Sequence, residues 1–416
     1  MSLKLKTLFI CFYFPPFNRV GGRRWAKYLK YFANDQEDFY VLAGDYKTKS
    51  NWDNDIIGYE NRITRIPVII KYPYHKRKLP ENFIQKIGWK LSYLFWDLKD
   101  KYYKGNFWDD TVGYEEKFYN EAVRLIEKHG IQQILITLGP FKISTILLEL
   151  KKKFPDLKIV IDYRDRLEDS FTNLSESKIA EEQALQKKVL EKADLVLSPY
   201  NYMQKYYSEK FNISSFLLPH CYDEYDFTEL KFNANREKEE KELKFVYGGS
   251  LYLGLDEELK SFFLLQKRIS AMGFKPITNL YVPQKGYEDI IVKSETNTNL
   301  LPVLPLKSYY NEILNSDFAL VFRPKWSNDN FSSKFFELIR LGKPILYVGE
   351  ESEVSRFIEN NNLGFVLSKL NNEDAINQML SKVESGQIPD KHYVVEKHSF
   401  EKSALDLIKI LNESIK

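Results

Sequence analysis

Apolar runs of about four to eight residues alternate along the chain with turns and then with stretches whose apolar positions recur at helical spacing. The runs that read as strands in the first half are 8–14, 39–43, 63–70, 133–137, 158–162, 195–198 and 215–218. In the second half they are 243–247, 277–282, 299–303, 318–322, 344–348 and 365–367. Helical spacing fills the intervals. Repeated βα units of this kind require a parallel sheet covered by helices on both faces, which makes its strands apolar throughout rather than alternating. The expected fold class is α/β, with two doubly wound Rossmann-like domains. A charged, aperiodic run over 233–244 marks a surface excursion or boundary, so the predicted domains are 1–225 and 226–395. Residues 396–416 place Phe400, Ala404, Leu407, Ile408 and Leu411 on one face, an amphipathic helix able to pack on either half. Doubly wound domains bind ligands at the carboxyl ends of their strands, and two such sheets are expected to face each other across a cleft.

One segment breaks the alternation. Phe83, Ile84, Ile87, Leu91, Leu94, Phe95, Leu98 and Tyr102 follow helical spacing as one long apolar stripe. Residues 71 to 104 carry nine Lys or Arg against three Asp or Glu, with Trp89, Tyr93, Trp96 and Tyr103 interleaved. Two readings stand side by side. Lys86, Trp89, Lys90, Trp96 and Lys101 belong to a surface for an anionic membrane or acceptor, or the stripe is a core face with solvated lysines opposite.

Composition narrows the picture. A chain of 416 residues holds two or three domains. No apolar run approaches the roughly 18 residues that span a bilayer, so a soluble or peripheral protein is expected. The basic start and apolar residues 8–14 resemble a signal peptide, but they lack a small-residue cleavage site and run into Pro15-Pro16 and Gly21-Gly22, which reads as a strand and loop. The net charge of +3 is too small to argue for nucleic acid. Two cysteines, Cys11 and Cys221, exclude a disulfide framework and favour a reducing compartment.

Three constellations carry candidate chemistry. Tyr13-Phe14-Pro15-Pro16-Phe17 leads to Gly21-Gly22-Arg23-Arg24 at a predicted helix start, where small residues and free N–H groups form an anion site. The alternative is a tight turn with solvated arginines. Lys244-Phe245-Val246-Tyr247-Gly248-Gly249-Ser250 repeats the arrangement in the second half, and a diphosphate would best explain a grip from both sides. The third begins at Arg323-Pro324 and continues through Asp329-Asn330-Phe331-Ser332-Ser333-Lys334-Phe335-Phe336-Glu337 to Gly342-Lys343-Pro344-Ile345. Asn330 or Ser332 would cap a helix, Ser332 and Ser333 could hydrogen-bond phosphate, and the Glu337 carboxylate could accept from both hydroxyls of a ribose.

This third stretch resembles the nucleotide-binding signature of GT-B glycosyltransferases of family 4, a Ser-Lys-x-x-Glu helix followed by Gly-Lys-Pro-Ile. The family's pair of glutamates appears as Asp329 and Glu337. Tyr13 to Arg23 resembles the first donor-side loop, and Ile161-Asp162-Tyr163-Arg164-Asp165 resembles the Asp-x-Arg-Asp element of one branch. Ala193 to Ser198 and Leu218-Pro219-His220-Cys221-Tyr222-Asp223 resemble the segments leading into the linker. The resemblance implies that Glu337 binds the ribose, that Gly21, Gly22, Gly248, Gly249 and Ser250 surround the diphosphate and sugar, and that the final helix crosses back onto the first domain. Together with Arg23, Arg323, Asp329, Phe331, Ser332, Ser333 and Lys334 these residues form the expected donor site. The implied reaction moves a sugar, with retention, from a UDP- or GDP-linked donor to a lipid-linked surface-glycan hydroxyl at the cytoplasmic face of a bacterial membrane. No cofactor beyond the nucleotide-sugar is expected, and Arg323 and Lys334 would neutralise the leaving diphosphate.

The departures shape the remaining expectations. Relatives place a histidine near the donor sugar where this chain reads Thr137-Leu138-Gly139-Pro140-Phe141, and its five histidines read as structural. The catalytic expectation therefore moves to Asp162, Arg164 and Asp165, with a structural Arg–Asp pair as the alternative. Asp329 has a shorter reach than glutamate. Asp53-Asn54-Asp55 reads as turn chemistry, and no Cys and His spacing suits zinc, so no metal site is predicted. A non-catalytic scaffold and a nucleotide-sugar epimerase of the same fold are the competing functions. A phosphorylase ranks below them, since that architecture usually brings a much longer chain with a pyridoxal phosphate lysine.

Overall fold

The computed structural model describes residues 5–17, 20–34, 38–46, 53–69, 82–102, 109–171, 174–228, 230, 240–251, 254–283, 287–325 and 329–413. The chain divides into two compact units, Met1–Pro219 with Phe400–Lys416, and His220–Ser399.

In the first unit the order is β1 (Thr7–Cys11), α1 (Val20–Asn34), β2 (Phe39–Asp45), β3 (Ile63–Pro67), α2 (Phe83–Tyr102), α3 (Glu115–His129) and β4 (Gln133–Leu138). It continues through α4 (Ile146–Lys153), β5 (Lys158–Tyr163), α5 (Glu176–Leu190), β6 (Leu195–Ser198), α6 (Asn201–Phe211) and β7 (Ser215–Leu217). These strands form one parallel sheet in the order β3-β2-β1-β4-β5-β6-β7. β1 and β4 are buried along their whole length, as strands covered on both faces must be.

The second unit runs β8 (Glu242–Gly248), α7 (Asp256–Ala271), β9 (Lys275–Tyr281), α8 (Glu288–Ser294), β10 (Thr298–Leu301), α9 (Leu306–Leu314) and β11 (Phe318–Phe322). It closes with α10 (Ser333–Leu341), β12 (Ile345–Val348), α11 (Glu353–Asn360), β13 (Gly364–Val366) and α12 (Glu373–Glu384). Its sheet is also parallel, in the order β10-β9-β8-β11-β12-β13. The last helix, α13 (Phe400–Glu413), returns to the first unit and lies on α1. Its apolar face, Phe400, Ala404, Leu407, Ile408 and Leu411, is buried, and Tyr28 meets Ser403 at 2.8 Å between the hydroxyls.

Each predicted run coincides with a strand, and the differences have local causes. Phe12, Tyr13 and Phe14 leave the sheet after Cys11 yet stay buried, Phe12 and Tyr13 in an aromatic cluster with Phe17 and Tyr46. β3 ends at Pro67, which pairs with Asp45, the last residue of β2, and Val68 N still donates to the Asp45 carbonyl at 3.0 Å; residue 70 of that predicted run lies outside the described residues. The unit boundaries fall at 219/220 and 399/400 rather than 225/226 and 395/396. Residues 220 to 228 belong to the second unit because Phe227 stacks on Tyr310 at 4.7 Å and Glu224 pairs with Arg340 at 2.7 Å. Of the charged run 233–244, residues 242–244 open β8, and 231–239 lie outside the described residues.

The core reading of α2 is corrected. Its stripe is open to solvent, from 43% exposure at Ile87 to 80% at Ile84. No other described element packs along it. The side chains of Trp89, Trp96, Lys101 and Tyr102 lie outside the described residues, as does Tyr103.

Candidate functional site

The strand order of the second sheet puts its switch point between β8 and β11, where a doubly wound sheet presents its ligand loops. β8 ends at Gly248, and Gly249 follows with φ of +151°, a conformation that side-chain-bearing residues rarely adopt. A Cβ at Gly248 would meet the Tyr309 ring at 2.3 Å, and one at Gly249 would stand 3.3 Å from Lys334 Nζ. The two glycines therefore let Tyr309 of α9 and Lys334 of α10 close on the strand end. Lys334 Nζ donates to the Gly248 carbonyl at 3.0 Å and lies 6.0 Å from the centre of the Tyr309 ring. One of its three ammonium donors is thereby used. Although the residue has open surface, surrounding protein desolvates its ammonium and lowers its pKa, with Glu337 pulling it back up. A cation in that state suits a phosphate oxygen, which supplies the charge-assisted hydrogen bonds it lacks.

The start of α10 is built by its own sequence. Ser332 is the N-cap and accepts from Phe335 N at 3.3 Å, which leaves other first-turn N–H groups without a helical partner. Ser333 is the first helical residue. Glu337, one turn in, is buried and close enough to raise the Tyr309 pKa, behind burial and Tyr247 among the causes. Arg323 follows β11 at the neighbouring strand end. Its side chain is 6% exposed, and its Nε has no hydrogen-bond partner among the described residues.

Three donor-site expectations find other partners. Phe331 packs on Phe335, Phe336 and Phe357, and its contact with Phe336 is the hydrophobic staple that fixes the chain's entry into α10. Asp329 Oδ1 accepts from Glu353 N at 2.8 Å, so this carboxylate serves the first turn of α11. Arg23 Nε is 2.7 Å from Asp55 Oδ2, an ion pair that ties α1 to the short helical turn Asp53–Ile56 and gives Asp53-Asn54-Asp55 a structural role. The Ser250 carbonyl accepts from the Tyr247 hydroxyl at 2.7 Å.

In the first unit the switch point lies between β1 and β4. Arg164, just past β5, donates through Nε to the Leu138 carbonyl at 3.2 Å and through a second nitrogen to the Gly139 carbonyl. A Cβ at Gly21 would overlap that guanidinium at 1.0 Å, and one at Gly22 would meet the Tyr13 carbonyl at 2.7 Å. Arg164 thus joins the loops after β4 and β5 to the start of α1. The neighbouring Asp109 and Asp110 brace the same loops: Asp109 Oδ2 accepts from Phe141 N and Lys142 N at 2.6 and 2.7 Å, and Asp110 accepts from the Tyr13 hydroxyl.

Asp162 and Asp165 part company. Asp162 is fully buried, and its Oδ2 accepts from Trp25 Nε1 at 2.7 Å and Thr137 Oγ1 at 2.9 Å, with Arg24 3.9 Å from the other oxygen. A carboxylate so enclosed cannot reach an acceptor hydroxyl, so its catalytic expectation is corrected to a structural one. Asp165 has open surface, yet the protein around it desolvates its carboxyl and raises its pKa, against the pull of Arg164. Sequence reasoning missed Tyr309, Trp25, Thr137 and Asp109, whose partners lie far away in the chain. His398 packs against Phe336 and Phe357, and burial and Lys397 lower its pKa to about 4, so it is neutral near pH 7. His75 lies outside the described residues, and among the described residues no group of three His, Cys, Asp or Glu could hold a metal ion.

No family model matches the sequence, and no curated protein matches it. Solved structures do. The N-terminal domain of trehalose-6-phosphate phosphatase from Candida albicans superposes with a TM-score of 0.58 at 12% identity, covering 100% of this chain and 96% of that one. A glycosyltransferase from Rickettsia africae ESF-5 gives 0.56 at 12% identity, covering 99% of both chains. The catalytic domain of starch synthase IV from Arabidopsis thaliana, bound to ADP and acarbose, gives 0.53 at 13% identity with 99% of both covered. A UDP-N-acetylglucosamine 2-epimerase gives 0.52 at 13% identity, covering 98% of this chain and 95% of that one. With two parallel sheets of alternating βα units and these neighbours, the chain has the GT-B fold, built of two Rossmann-like domains.

Proposed function

We propose that the protein is a glycosyltransferase that moves a sugar from a UDP- or GDP-linked donor to a glycan hydroxyl, with retention and without a metal. The observation that carries this reading is the assembly of Gly248, Gly249, Lys334, Glu337 and the capped start of α10 at the second switch point. In it, Lys334 and the first-turn N–H groups of α10 receive the diphosphate, with Ser332, Ser333 and the buried Arg323 adding donors. Glu337 takes the ribose hydroxyls. As the bond between the sugar carbon and the phosphate oxygen breaks, charge grows on the leaving diphosphate, and fixed cations and N–H dipoles stabilise that charge without reorganising. The new bond forms between the same carbon and the acceptor oxygen. On the first unit, Asp165 is the group we assign to take the acceptor's proton, because a carboxylate with a raised pKa is a stronger base than an ordinary one. Arg164 is a positioning residue.

The test is product analysis with a panel of UDP- and GDP-sugars, with and without glycan acceptors. Nucleotide release coupled to sugar on the acceptor is the expected result. A donor that changes its stereochemistry with no nucleotide released would make the protein an epimerase. Nucleotide binding without transfer or hydrolysis across the panel would make it a non-catalytic binder.

A further inference from the structure

We propose that α2 docks the protein on the surface of an anionic phospholipid bilayer, lying in the interface rather than crossing it. Phe83, Ile84, Leu91, Leu94, Phe95 and Leu98 are each more than half exposed, in a helix that no other described element packs along. Apolar side chains repeated on one face over about 22 Å of helix need a partner that is itself extended and apolar. Among the described residues no helix is long and apolar enough to cross a membrane, which leaves the interfacial geometry.

The charge pattern selects the partner. Helical spacing places Lys86, Lys90 and Lys101 along one edge of the stripe, with Asp97 the acid among them, and Lys99 along the other edge. Just before the helix the sequence adds Lys71, Lys76, Arg77 and Lys78 against Glu81. A second copy laid on the stripe would bring lysine edges against each other, which opposes self-association. An anionic headgroup layer meets both demands: its acyl boundary takes the stripe, and its phosphates take the flanking ammonium groups, whose stems can lie along the apolar surface. This inference does not depend on the reading of the donor site.

The test uses the full chain with vesicles of phosphatidylcholine alone or mixed with phosphatidylglycerol. The wild type should sediment with the anionic vesicles at low salt and release as salt shortens the Debye length from about 30 Å at 0.01 M to about 3 Å at 1 M. The triple variant Lys86→Glu, Lys90→Glu, Lys101→Glu should bind at least about tenfold more weakly. The triple variant Leu91→Ser, Leu94→Ser, Phe95→Ser should lose binding as well. Both should keep the wild-type melting temperature and nucleotide affinity, since the stripe supports no core. Three results would overturn the proposal: wild type left in the supernatant with anionic vesicles at low salt, equal binding to neutral vesicles, or a vesicle-free dimer that the serine variant makes monomeric.

Discussion

Both sheets set a cation over a glycine-rich switch point, and the two cations are used differently. In the first unit Arg164 is spent inside the protein, donating to two loop carbonyls and filling the place where Gly21 would carry a side chain. In the second, Lys334 donates to the Gly248 carbonyl and keeps donors for a ligand, with a pKa lowered by desolvation. A planar guanidinium with several fixed donors suits a permanent brace, whereas a compact ammonium with rotatable donors suits an incoming phosphate. A glycine pair after the first strand of each sheet, met by a basic residue from far along the chain, thus builds a self-supported scaffold in one unit and a candidate ligand site in the other.

The sharpest way to break this contrast is at the two first-unit acids. Asp165→Asn should lower turnover by roughly 10²–10⁴-fold while donor affinity and melting temperature stay near wild type. Turnover close to wild type would remove Asp165 from the chemistry. Asp162→Ala should instead cost about 1–3 kcal/mol of stability, because Trp25 Nε1 and Thr137 Oγ1 are left as buried donors without an acceptor. Chemical denaturation reads that loss, and an unchanged unfolding midpoint would contradict the buried geometry.

Next in size is a pair of glycine replacements. Gly248→Ala drives a methyl into the packed Tyr309 ring, an overpacking that typically costs about 1–3 kcal/mol, and it should weaken donor binding together with stability. Gly21→Ala displaces the Arg164 guanidinium from its loop carbonyls, so it should lower the melting temperature while donor affinity holds. If the Gly21 variant lost donor affinity and the Gly248 variant kept it, the contrast between the units would be reversed.

The smallest effect is the titration of Lys334. Its folded pKa lies below the ordinary lysine value, so between the two the unfolded chain holds more protons and this group makes stability rise with pH. A bound diphosphate favours the charged ammonium, so donor affinity should fall as pH climbs through the lowered pKa. Calorimetry in buffers of different ionisation enthalpy should detect proton uptake on binding in that range, and Lys334→Ala should abolish it.

The strands were legible because a parallel strand covered on both faces is apolar along its length, as β11 is. The α10 signature was legible because capping is local: Ser332, Ser333 and Lys334 act within one turn. What escaped depends on distance in the chain. Nothing near Arg23 announces Asp55, and nothing near Gly248 announces Tyr309. Asp162 and Asp165 look alike as letters, yet Asp162 is still inside β5 while Asp165 has passed its end. Periodicity identified the apolar face of α2 without saying what covers it, so the core and surface readings separated only in the structure.

The central claim is that the second switch point holds the nucleotide of a sugar donor, with Glu337 on the ribose. Titration of UDP and GDP into the wild type and Glu337→Ala, followed calorimetrically, tests it most directly. The account predicts that one nucleotide binds the wild type and that the variant loses about 1.5–3 kcal/mol of that affinity at an unchanged melting temperature, the contribution of hydrogen bonds to a charged group. Equal affinity in the two proteins, or no binding of either nucleotide to the wild type, would contradict it.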